Sequence, residues 1–148
     1  MDTADSFQVV CLDTSHYDEI MALWRRAGLH IRPEGRDSVE AFTRQMRTGV
    51  QTPIGLRAGA LLVAVALATH DSRKGWINRL AVDPDYRRRG LATRLIGLCE
   101  AHFQAQGIDI WAALIEEWNQ ASLALFHSAG YALTNDITYA SKRSHAGV

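Results

Sequence analysis

The residues most able to do chemistry in this sequence are Arg87-Arg88-Arg89-Gly90-Leu91-Ala92-Thr93, which follow the apolar run ending at Val82 and open another. A glycine and a small residue at a strand-to-helix turn leave backbone N–H groups unpaired and point the positive end of a helix dipole outward, which suits a phosphate. A bulky side chain at Gly90 or Ala92 would keep a diphosphate from approaching the backbone. The three arginines add charge-assisted contacts. Two other phosphate cradles are ruled out by pattern, since neither G-x-x-x-x-G-K-[ST] nor an early G-x-G-x-x-G occurs. The competing readings are a basic surface turn that merely caps a helix and a nucleic-acid patch. The second lacks interleaved aromatic residues and overall basicity.

The elements that must position this turn can be read from periodicity. Trp76 to Val82 reads as a strand stopped by Asp83-Pro84-Asp85, and Leu91, Ala92, Leu95, Ile96, Leu98, Cys99 and Phe103 follow the helical period up to Gly107. Ile108 to Ile115 reads as a buried strand and Asn119 to Ser128 as a helix closed by Gly130. Upstream, Phe7 to Leu12 is a first strand, and Ser15 is expected to cap a helix that carries Tyr17, Ile20, Met21 and Trp24 and ends at Gly28. Asp37 is expected to cap a second helix marked by Val39, Phe42 and Met46. Pro53 to Arg57 and Leu61 to Thr69 should pair antiparallel around Gly59, and Tyr131 to Leu133 with Ile137 to Ala140 should form a terminal hairpin. An antiparallel hairpin followed by a strand-helix-strand crossover implies a mixed sheet.

Composition sets the outer limits. A chain of 148 residues suits one domain with one active site, here with a core spanning about residues 7–142. Sixteen basic residues balance sixteen acidic ones, so no long-range attraction to nucleic acid or to an anionic membrane is expected. Met1-Asp2-Thr3-Ala4-Asp5-Ser6 lacks the basic and apolar regions of a signal peptide and no apolar run reaches membrane-span length, which leads to the expectation of a cytoplasmic protein. Cys11 and Cys99 are the only cysteines and read as reduced core thiols, and the six histidines have no metal-ligand spacing, so no metal is expected.

Arg87-x-x-Gly90-x-Ala92 matches the [Q/R]-x-x-G-x-[G/A] acetyl-CoA signature, and by it the chain resembles the GNAT superfamily of N-acetyltransferases. Asn119 to Tyr131 is similar to that family's later N-x-x-A-x-x-L-Y-x-x-x-G-F motif. The resemblance implies an α/β GNAT acyltransferase fold, a mixed twisted β-sheet flanked by helices, and acetyl transfer from acetyl-CoA to a primary amine of a small molecule or protein. It further implies that main-chain groups around Leu80, Ala81 and Val82 hold the pantetheine arm and that amides from Arg87 to Thr93 hold the pyrophosphate. Asn119 would touch the cofactor near the later helix, and the strands at 76–82 and 108–115 would splay to admit the pantetheine.

Direct attack of a neutral amine on a thioester needs a base for the amine proton and benefits from an acid for the thiolate. The sequence departs from the family at both: Phe126 stands at the usual tyrosine acid, and Asn78 at the usual fourth-strand glutamate base. A thiol of pKa about 8.5 leaves tolerably well unaided, and a general acid is worth only about 10²–10⁴-fold. Glu116 and Glu117 after the fifth strand are the candidate bases, with His70 and Asp71 as further choices. In this family the first two helices and their loop select the acceptor, which points to His30, Arg32, Arg36 and Asp37; the two arginines could receive a carboxylate or phosphate. The rival classes are a catalytically silent acyl-CoA-binding or sensor domain and a partner subunit that forms a homodimer through the terminal hairpin.

Overall fold

A computed structural model describes residues 6–148; the leader reading of Met1 to Asp5 lies outside the described residues. Five strands follow one another across a single sheet: β1 (Gln8–Cys11), β2 (Gln51–Ala58), β3 (Leu61–His70), β4 (Gly75–Val82) and β5 (Trp111–Ala112). Neighbours are antiparallel except β4 and β5, which are parallel. Among the described residues four α-helices flank it, α1 (Tyr17–Ala27), α2 (Val39–Arg47), α3 (Leu91–Ala105) and α4 (Gln120–Ser128). This is the expected mixed α/β architecture.

The centre of the sheet is β3, buried without interruption from Leu62 to Ala68 because helices cover both of its faces. Leu62, Val65 and Leu67 face a layer made with Ile20, Leu23 and Trp24 of α1 and Phe42 of α2. Val63, Ala64, Ala66 and Ala68 face the layer of Leu91, Leu95, Ile96, Cys99 and Phe103 from α3. Each such large side chain taken out of water contributes about 1.5–3 kcal/mol. Two bulges interrupt the ladders. Leu56 opposes Ala64 while Arg57 opposes Leu62, leaving Val63 extra in β3. Val65 opposes Ala81 while Leu67 opposes Asn78, so β4 carries one residue too many between them.

Local chemistry moved both helix starts. Asp13, not Ser15, opens the first helical segment: its carboxylate accepts the Ser15 N–H at 2.9 Å, and His16 Nδ1 accepts the Asp13 N–H at 3.0 Å, a reciprocal capping box. Ser38, not Asp37, caps α2, its hydroxyl accepting the Ala41 N–H at 3.1 Å. The Asp37 carboxylate turns the other way and accepts the Arg32 N–H at 2.8 Å.

Three further expectations are corrected. The strand expected over 108–115 is a ladder only at Trp111 and Ala112; before it the Ile110 carbonyl still accepts the Gly75 N–H at 2.9 Å, and the Ile110 and Leu114 side chains are exposed. The terminal hairpin on which homodimer formation was to rest is absent, with no strand assigned over 131–140. Asn135-Asp136 supplies no glycine for a tight two-residue turn, and Ile137 and Tyr139 are 78% and 75% exposed, so pairing would bury little. Cys11 is exposed rather than a core thiol, whereas Cys99 is buried, and that burial pushes its thiol up to about 12.

Two measurements test this packing. A Cβ on buried Gly75 would lie 2.7 Å from the Phe103 ring, so Gly75→Ala should lower stability by about 1–3 kcal/mol in urea denaturation. A thiol reagent at pH 8 should label Cys11 in the native protein and Cys99 only on unfolding; equal rates would contradict the burial of Cys99.

Candidate functional site

The Arg87–Thr93 turn is built to leave its backbone open. Arg88 and Gly90 both take left-handed conformations, φ 63° and 77°, which bring successive N–H groups to one side of the chain. Gly90 has no side chain to cap α3, and the first intrahelical bond runs from the Arg94 N–H to the Gly90 carbonyl at 3.0 Å. The N–H groups of Leu91, Ala92 and Thr93 therefore stand at the helix mouth. Arg87, Arg88, Arg89, Gly90 and Thr93 are exposed, Ala92 is half-buried and Leu91 belongs to the core. The arginine side chains do not all reach outward: Arg89 stacks over Tyr86 at 4.9 Å, and Arg87 Nη2 lies 3.4 Å from the Ala27 carbonyl.

Asp83 holds this turn in place. It is 4% exposed and accepts the Arg26 Nε–H at 2.9 Å from α1, while its other oxygen accepts the Asp85 N–H at 2.9 Å. Arg26 also donates to the Leu62 carbonyl at 3.0 Å, so one guanidinium ties α1 to β3 and to the exit of β4. Breaking a buried pair of this kind leaves a desolvated charge behind.

Between β4 and β5 the sheet opens. Their ladder consists of Gly75 with Trp111 and Trp76 with Ala112, after which β4 continues to Val82 with no strand on that edge among the described residues. Leu80 and Val82 pack on the α3 layer and Ala81 on the α1 layer. The two strands run parallel and pair only at the start of β4, so the unpaired stretch lies toward their carboxyl ends, which is also where β4 leads into the turn. On the far side of β5, Phe126 is 5% exposed, meets Tyr131 edge-on at 5.1 Å and lines a cavity of about 400 Å³ between residues 109–115 and 129–133. The Tyr131 hydroxyl donates to Glu100 at 2.7 Å, and burial raises its pKa well above the usual value, with the Glu100 contact adding to the shift. Asn119 caps α4 by accepting the Ser122 N–H at 3.1 Å.

On the α1–α2 face of the sheet lies a second cavity, of about 460 Å³, walled by Trp24, Phe42, Leu67, Thr69, Asn78 and Arg79 with Arg36, Asp37 and Tyr139. Asn78 Nδ2 donates to Thr69 Oγ1 at 2.7 Å. Arg36 is exposed and lines this cavity; Arg32 does not, and its Nε is buried without a hydrogen bond. Glu116 and Glu117 are exposed and line neither cavity. The Asp71 carboxylate is held below its usual pKa by the Lys74 and Arg73 N–H groups, and His70 Nδ1 accepts the Ser72 N–H at 3.0 Å. Among the described residues no group of three or more His, Cys, Asp or Glu side chains is poised for a metal, and no helix is long and apolar enough to cross a membrane.

Sequence reasoning missed Asp83, which read only as a strand stop, and Arg79, which read as an ordinary strand residue. An aspartate before Pro84 is a signal for a capped turn, so Asp83 was discoverable. Nothing in the pattern around Arg79 announces a bulge, which exists only relative to β3.

A family model described as the acetyltransferase (GNAT) family matches residues 17–131. An acetyltransferase of Sodalis glossinidius is 24% identical over 127 residues, covering 86% of this chain and 88% of its own. Among solved structures, a predicted acetyltransferase of Clostridium acetobutylicum crystallised with acetyl-CoA superposes with a TM-score of 0.75 at 12% identity, over 91% of this chain and 96% of the other. AAC(6')-Iy in complex with a bisubstrate analogue, CoA-S-monomethyl-acetylneamine, superposes with a TM-score of 0.76 at 16% identity, over 93% and 98%. With a family match that spans most of its length, an open helix-mouth turn at the family's signature and strands that part beside it, this chain belongs to the GNAT acetyltransferase family.

Proposed function

We propose that the protein transfers the acetyl group of acetyl-CoA to the amine of an acceptor, with the donor along the turn and the β4 edge and the acceptor in the cavity beside Asn78. The observation that carries this reading is that an uncapped helix mouth with two left-handed residues adjoins the opening between β4 and β5. The residues present fit such a donor. The exposed N–H groups from Arg88 to Thr93 suit a pyrophosphate, and the unpaired edge of β4 near Leu80 and Val82 offers main-chain groups to the amides of a pantetheine arm. When bound, the thioester supplies an activated acyl carbon. The acceptor's nitrogen forms the new C–N bond there as the C–S bond breaks, and the amine loses a proton while the sulfur leaves as thiolate.

Asn78 carries no ionisable group, so its part is to orient. With Nδ2 engaged by Thr69, its carbonyl oxygen can accept a hydrogen bond from the acceptor amine. Phe126 supplies apolar surface at the position where the family often carries a tyrosine. Both departures also favour the silent acyl-CoA-binding class, and acetyl-CoA binding without turnover against any amine would select it.

Two predictions follow from the arrangement. Gly90→Glu puts an anion and a side chain at a left-handed position in the mouth of α3, so acetyl-CoA affinity should fall by more than about tenfold. Calorimetry on the folded variant checks this, and unchanged affinity would remove the turn from the donor site. Phe126→Tyr separates chemistry from packing. If thiolate departure limits the rate beside this ring, turnover should rise modestly. A stability loss of about 1–3 kcal/mol with unaltered turnover would instead show a hydroxyl buried without a partner.

A further inference from the structure

Arg79 is the extra residue's neighbourhood in the β4 bulge, and it holds a left-handed conformation with φ 54°, uncommon for a residue that carries a Cβ. Its surroundings account for the conformation. The Trp24 indole N–H donates to the Arg79 carbonyl at 3.2 Å, and the Arg79 guanidinium lies over the same indole ring at 4.5 Å. Nη1 donates to the His30 carbonyl at 2.9 Å. The side chain is thus bound at its root, along its plane and at one of its two amino groups. A cation stacked on an aromatic face and partly desolvated interacts more strongly than one in open water.

The other amino group, Nη2, is different. It is buried, has no hydrogen-bond partner, and stands 3.7 Å from Asp37 Oδ2, too far for a hydrogen bond. That same Asp37 oxygen already accepts the Arg32 N–H at 2.8 Å, so it is held away from a closer pairing. Arg79 is one of the walls of the 460 Å³ cavity, next to Asn78, and Arg36 stands on the wall as well. Two guanidinium groups against one carboxylate leave this cavity net positive in a protein whose formal charge is zero. Burial pulls the Arg79 pKa below its usual value, with the nearby Asp37 carboxylate opposing the shift; an arginine still keeps its charge at neutral pH.

A guanidinium fixed in the wall of a net positive pocket attracts an anion, and it works against a polycation. We infer that Arg79 is a specificity-determining residue that binds a carboxylate on the acceptor, so that the protein acetylates amines that also carry a carboxylate. This rests on the reading of the Asn78 cavity as the acceptor site of an acetyltransferase. Nη1 is retained by His30 and Nη2 is buried against Asp37, so the carboxylate meets the guanidinium through the 27% of the side chain that stays open on the cavity wall. Arg36, exposed on the same wall, adds charge without fixing geometry.

The experiment uses the full chain and follows thiol release from acetyl-CoA. The acceptors are ω-amino acids from glycine to 5-aminopentanoate and a set of dipeptides, each paired with its own carboxamide, with spermidine as the polycation. The expected result is a kcat/KM at least about tenfold higher for acids than for their amides, the size of one charge-assisted hydrogen bond, with spermidine poorest. In Arg79→Gln the acid-to-amide ratio should collapse toward one, whatever loss is common to both members of a pair. Arg79→Lys should retain part of the ratio. Comparable kcat/KM for acids and amides in the wild-type protein overturns the inference while leaving the transferase reading intact, and so does a ratio unchanged in a folded Arg79→Gln. Should the variants fail to fold, the wild-type ratio alone decides. No thiol release with any acceptor, in protein that binds acetyl-CoA by calorimetry, overturns the transferase reading and the inference with it.

Discussion

The two-residue ladder between β4 and β5 is the constraint on which the rest depends. Strands in parallel register must stay close to share hydrogen bonds, and here they do so only where Gly75 meets Trp111 and Trp76 meets Ala112. Gly75 lets α3 pack close against this end of the ladder, since the Phe103 ring fills the space a side chain would need. Beyond Trp76 the β4 backbone has β3 on one edge and nothing comparable on the other. A backbone edge left unpaired near the centre of a fold is costly unless some ligand or solvent satisfies it. In the proposed function that edge is where the donor's amides are read.

Two arginines then make β4 rigid despite its missing neighbour. Arg26 of α1 holds Asp83 at the exit of the strand and, through the Leu62 carbonyl, the adjacent β3. Arg79 is clasped in the bulge by Trp24, also of α1. One helix therefore fixes both the height of the turn before α3 and the direction of the strand that leads to it. The hydrophobic layer of Ile20, Leu23 and Trp24 sets the position of α1, and polar contacts from the same helix pass that position to the site.

What was legible in the sequence follows from the range of the interactions involved. The α3 helix, its opening glycine and the β2–β3 hairpin were readable because their signals are local: a 3.6-residue period, Gly90, and Gly59 with φ 60° in the turn. The helix caps were off by one or two residues because Asp13, Ser15, Asp37 and Ser38 are all good caps, and which one serves depends on where its rivals are engaged. Asp37 was unavailable to α2 since Arg32 had it. The terminal segment failed as a hairpin for a different reason. Its alternation is strand-like, but Ile137 and Tyr139 are left largely exposed, so pairing would have buried little. The bulge at Arg79 could not be read at all, because it is a mismatch between two strands and not a property of either one.

The candidate site thus divides by the kind of group that does the recognising. In the proposed function the donor is held by main-chain N–H and C=O groups, so the sequence needs only small residues in the right places, and a short motif reveals them. On the acceptor side they are side chains drawn from α2, β3, β4 and the terminal segment, including Phe42, Thr69, Asn78 and Tyr139, which are brought together only by the fold. Asn78 illustrates the consequence. In the proposed function, where a glutamate would both orient an amine and remove its proton, an asparagine tied to Thr69 keeps the first role and gives up the second. In that reading proton removal falls to water or to a carboxylate acting through it, and the proposed selectivity rests on the cavity's fixed charges, among them the guanidinium of Arg79 held in the wall by its stack on Trp24.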